Sequence, residues 1–83
     1  MHVEMEDWKN GWYGISVGIA PDEIDRLLDR LNMIKEDHEQ HFHISSDYKD
    51  PGGIGDIEIF VKTEEQKHNM NLSSRALAPG EEM

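Results

Sequence analysis

HFHISSDYKDPGGIGDIEIFV, running from His41 to Val61, decides the fold. At its start Phe42 and Ile44 alternate with His41 and His43. At its end Ile57, Ile59 and Val61 alternate with Asp56, Glu58, Phe60 and Lys62. Successive side chains of a strand point to opposite faces, so each run reads as a strand with one apolar face. SDYKDPGGIG lies between them, and Asp, Pro and paired Gly are strong turn formers. The two strands should pair as an antiparallel hairpin with a long loop.

Upstream, Ala20-Pro21-Asp22-Glu23 reads as a helix start. Proline fits the first helical position, and acidic side chains suit the positive helix end. Ile24, Leu27, Leu28, Leu31 and Ile34 then form an apolar stripe of 3.6-residue period that ends near Glu36. Before the helix, GWYGISVGI alternates once more. Tyr13, Ile15, Val17 and Ile19 share one side, and Trp12, Gly14, Ser16 and Gly18 share the other. Repeated glycine on one strand face often marks close approach by another group.

The expected architecture is therefore α+β, with element order β-α-β-β and one helix laid on a three-stranded sheet. Residues 1–10 read as a flexible polar segment with Trp8 as a docking side chain, residues 11–62 as the single domain, and residues 63–83 as a mobile tail whose sticky points are Met70, Leu72 and Leu77.

Eighty-three residues allow one small domain with a marginal core. There are no cysteines, which removes disulfides and thiolate zinc sites. Eighteen acidic residues against eight basic ones give a net charge of −10, so nucleic acid and anionic membrane surfaces are poor partners and a basic protein is a good one. No apolar run reaches the ~20 residues of a membrane helix, and the start lacks a signal-peptide core, which predicts a cytoplasmic protein.

The helix should cover Tyr13, Ile15, Val17, Phe42, Ile44, Ile57, Ile59 and Val61. That leaves an opposite face carrying Trp12, His41, His43, Asp56, Glu58 and Phe60. Aromatics beside polar groups are enriched at interfaces, so this face is the expected contact surface, with Tyr48 of the loop beside it. Two copies stacking this face as a homodimer is a competing use of it. The expectation stands on two conditions: a three-stranded sheet forms, and the imidazoles lie on the side away from the helix.

Three chemistries compete for the histidines. A metal could use His41 and His43, about 6–7 Å apart at Cα, with Asp56 or Glu58 adding an oxygen. That is a start rather than a site, because no third histidine stands at a matching spacing. Acid–base catalysis could pair a histidine with a carboxylate, but Ser16, Ser45 and Ser46 lack the context of an activated nucleophile. The plain reading is a pair of half-exposed strand residues, hydrogen-bonded to Glu58 or to a partner. The sequence therefore predicts no enzyme activity and assigns no cofactor, with His41, His43 and Glu58 as the residues a metal would have to use. PGGIG lacks the lysine and following helix of a phosphate-binding loop and reads as turn chemistry.

The leucine-rich helix, the H-x-H strand, the glycine loop and the acidic–apolar strand, HFHI…GGIGDIEI, together resemble the immunity protein 32 family of bacterial polymorphic toxin systems. The resemblance runs from about Ile15 to Val61; WKNGWYG and NMNLSSRALAPG fall outside it. It implies a small α+β inhibitor without enzyme activity that occludes a toxin. It carries no role over to His41 or His43.

Overall fold

A computed structural model describes residues 1–72 of the chain. The fold is α+β. It has four strands, β1 (His2–Asp7), β2 (Tyr13–Gly18), β3 (His41–Ser45) and β4 (Asp56–Phe60), and one helix, α1 (Ile24–Glu36), entered through a short 3-10 turn at Pro21–Glu23.

The strands form two separate two-stranded antiparallel sheets, β1–β2 and β3–β4, instead of one sheet of three. The expected polar segment at residues 1–10 contains a strand: His2–Asp7 pairs with Tyr13–Gly18 along its whole length. β2 thereby satisfies its backbone groups across a five-residue turn, without the longer closure that pairing across the helix demands. The turn is built from its own side chains. Asp7 Oδ1 accepts from the Lys9 amide at 2.8 Å, Asn10 Oδ1 accepts from the Trp12 amide at 3.0 Å, and the Trp8 amide donates to the Trp12 carbonyl at 3.1 Å. Gly11 adopts φ +94°, a conformation that favours glycine.

The β3–β4 hairpin matches the sequence expectation. His41 pairs with Phe60, Phe42 with Ile59, His43 with Glu58, Ile44 with Ile57 and Ser45 with Asp56. Phe42 is buried and Ile44, Ile57 and Ile59 are half-buried, while His41, His43, Ser45, Asp56, Glu58 and Phe60 are exposed. Each imidazole therefore lies on the side away from the core.

The predicted start at Pro21 and the acidic pair forms the 3-10 turn, and α1 continues from it at Ile24 and ends at Glu36. The Asp37 amide closes its last turn on the Met33 carbonyl at 3.0 Å. At its start Glu23 Oε1 accepts from the Ala20 amide at 3.1 Å and pairs with the Met1 amino group at 2.7 Å. These contacts, the amino group first, hold the Glu23 carboxyl below its ordinary range. The apolar stripe splits on folding. Leu27 and Ile34 turn inward with Met33, whereas Ile24, Leu28 and Leu31 are exposed. The three-stranded sheet that this stripe was expected to cover does not form. Among the described residues the buried apolar core is Ile34 and Phe42, each 9% exposed.

The segment from Thr63 to Leu72 contains no helix or strand; Thr63 and Gln66 close a turn on one another, with the Thr63 amide on Gln66 Oε1 at 3.0 Å. The rest of the expected tail, Leu77 included, lies outside the described residues. Among the described residues no helix is long and apolar enough to cross a membrane.

Candidate functional site

Two surfaces carry unpaired chemistry, one on each hairpin. On β3–β4 the pairing register sets His43 directly opposite Glu58, with His41 two residues away on the same face. The imidazole rings meet edge to face, 5.0 Å between centroids. Glu58 Oε1 stands 3.8 Å from His41 Nε2 and 3.9 Å from His43 Nε2. Both gaps exceed hydrogen-bond length. One donor atom from each of the three residues lies within 4.8 Å of the others.

His43 is held by its other nitrogen. Nδ1 lies 2.8 Å from Asp56 Oδ2, and Ser45 Oγ donates to Asp56 Oδ1 at 2.6 Å. An ionised Asp56 can only accept, so the His43 Nδ1 carries the proton and, in the neutral ring, Nε2 keeps its lone pair. The Asp56 hydrogen bond raises the His43 pKa above 6.5; desolvation opposes it, and the charges of Asp56 and Glu58 add to it. The Ser45 hydroxyl first, and His43 second, hold the Asp56 carboxyl below its ordinary value. The serine donates to the carboxylate and not to the imidazole, so it is not an activated nucleophile.

The predicted contact residues do not gather on one face. His41, His43, Glu58 and Phe60 are brought together on β3–β4. Trp12 sits in the turn of the other hairpin, 71% exposed, and so shares no sheet with Phe60. The cause is the β1–β2 pairing, which takes the first predicted strand away from the other two. Tyr48 belongs to the β3–β4 loop at φ +57°, its ring so close over Gly55 that a Cβ there would meet Tyr48 Cε1 at 2.9 Å.

The second surface was not foreseen. On β1–β2 Val3 pairs with Val17, Met5 with Ile15 and Asp7 with Tyr13, so these side chains share one face. Met5 is 58% and Ile15 59% exposed, and Tyr13 and Val17 are exposed beside them. The sequence expected the odd side chains of this strand beneath the helix; they face outward. On the even side, the glycine at 14 makes room for an aromatic ring, since a Cβ there would stand 2.9 Å from Trp8 Cζ2. The close approach expected from the glycines is that of Trp8. HVEMED already alternates apolar Val3 and Met5 with polar neighbours ahead of an Asn-Gly turn, which is the signal that marks the hairpin.

Comparison with protein-family models, with curated proteins and with solved structures gives no match.

Proposed function

We propose that this chain is a non-enzymatic protein-binding module, and that the apolar face of the β1–β2 hairpin is its contact surface. The observation that carries the reading is the exposure of Met5, Tyr13, Ile15 and Val17 together on one side of a sheet with no layer over it. Soluble monomers rarely leave contiguous apolar patches of more than a few hundred Å². An isolated two-stranded hairpin is also marginal in water, and a docked partner would supply its missing layer. Trp12, exposed in the turn at the hairpin's tip, adds an amphipathic ring of the kind that dominates binding energy.

The partner is a basic protein. At a net charge of −10 a second copy of this chain is repelled at long range, whereas a basic surface is steered in. The resemblance of HFHI…GGIGDIEI to the immunity protein 32 family then gives the use: occlusion of a basic toxin domain inside the bacterial cell that makes it. The His41–His43–Glu58–Phe60 face, with Tyr48 at its margin, is the secondary contact in this reading.

Affinity capture with paired baits, wild type and Ile15→Asp, tests it. Wild type should retain a basic protein near one-to-one stoichiometry, lose it on the variant, and inhibit that protein's activity when added back. Identical profiles for the two baits would remove the hairpin from the binding surface. Sedimentation of the purified chain as a stable dimer that Ile15→Asp dissociates would replace the basic partner with a second copy.

A further inference from the structure

The geometry points to a divalent transition-metal site on the outer face of β3–β4, formed by His41 Nε2, His43 Nε2 and a Glu58 carboxylate oxygen, with Zn²⁺ as the ion that suits it. Two imidazoles and one carboxylate are a standard protein donor set for zinc, and hard cations such as Ca²⁺ and Mg²⁺ prefer all-oxygen cages.

Three features of the arrangement support the assignment. The first is spacing. Glu58 Oε1 is 3.8 and 3.9 Å from the two Nε2 atoms, too far for hydrogen bonds and near the separation of ligands around one shared centre. With bonds of about 2.0–2.1 Å, tetrahedral ligand atoms stand about 3.3–3.5 Å apart. Closing from the present spread of 4.8 Å takes only small side-chain rotations. All three side chains are about half exposed and able to make them.

The second feature is the tautomer. The Asp56 carboxylate takes the Nδ1 proton of His43 at 2.8 Å and is itself anchored by the Ser45 hydroxyl at 2.6 Å. That fixes the ring and presents the Nε2 lone pair outward, as a carboxylate does behind a metal-bound histidine. Asp56 is thus a positioning residue, not a ligand. The third is the scaffold. His41, His43 and Glu58 all project from paired strands, where register fixes their spacing, and not from a loop. Three protein ligands leave one position open to water or to a donor from another molecule.

This inference is independent of the β1–β2 contact surface, with which it shares no residue; it shares His41, His43 and Glu58 only with the secondary contact. The test is calorimetric titration of Zn²⁺ into the untagged, metal-stripped full chain at pH 7.5, alongside the histidine ring resonances. The expected result is one ion per chain with low-micromolar affinity, and shifts confined to His41 and His43. His43→Gln and Glu58→Gln should each weaken binding at least tenfold. Asp56→Asn should weaken it about tenfold while the circular dichroism stays unchanged. His2→Ala and His68→Ala should leave it as it is. Absence of saturable binding would overturn the site. So would binding that survives His43→Gln or disappears with His2→Ala. If Asp56→Asn alone bound as tightly as wild type, the positioning role would be overturned.

Discussion

Asp56 determines what His43 can do. It receives two donors, the Ser45 hydroxyl and the His43 ring, and that pairing raises one pKa and lowers the other. In the metal-free chain, with chelator present, the His43 ring should titrate above 6.5, and Asp56→Asn should bring it down toward that value; a pH series of ring resonances reads both. The raised His43 pKa favours the folded state most below the unfolded value, and the contribution fades as pH rises through the folded value. Asp56 has the opposite sign: its contribution is present above the unfolded carboxylate value and is lost as pH falls through the lowered one. The ionic pair is fully formed only between the two. Gly14 makes a second case at this scale. Any side chain there would collide with the Trp8 indole, so Gly14→Val should displace the ring and shift tryptophan emission to the red, with emission unchanged if the ring does not rest on Gly14. Side-chain parity was legible in the sequence, since a period of two puts His41, His43, Glu58 and Phe60 on one face wherever the strands pair. Asp56 was legible only as an oxygen donor; its hold on His43 depends on register, which no single strand contains.

At the level of elements, α1, β3 and β4 were legible because each carries its own periodicity and its own stop signals. Pro21 opens the helix, and the Asp-Pro-Gly-Gly loop divides the two strands. The β1–β2 hairpin was not, because a weighting on charge reads HVEMED as loose when its alternation is the informative part. Once β1 claims β2, the three-stranded sheet expected beneath the helix does not form, and Ile24, Leu28 and Leu31 are exposed. Their energetic worth follows. Leu28→Ser should change the stability of the isolated chain by no more than about 0.5 kcal/mol, whereas Phe42→Ala should cost about 3–5 kcal/mol. In a domain this small the second change approaches the whole stability, so its urea midpoint should collapse. Comparable midpoints for the two variants would place the core elsewhere.

For the whole molecule, the acid excess and the open hairpin act at different ranges. In the proposed reading, charge steers a basic partner over about a Debye length, and the apolar strand face holds it once docked. Raising salt from 50 to 500 mM should therefore slow association severalfold while changing dissociation little, as stopped-flow mixing with the captured protein would show. A partner held mainly by charge would instead dissociate faster in high salt. Hydrogen exchange across the full chain, alone and bound to the protein it captures, bears most directly on the central claim. The account predicts rapid exchange of the backbone amides of residues 2–18 in the free chain and strong protection of the same amides in the complex. Protection confined to β3–β4 or α1, with residues 2–18 unaltered, would contradict it.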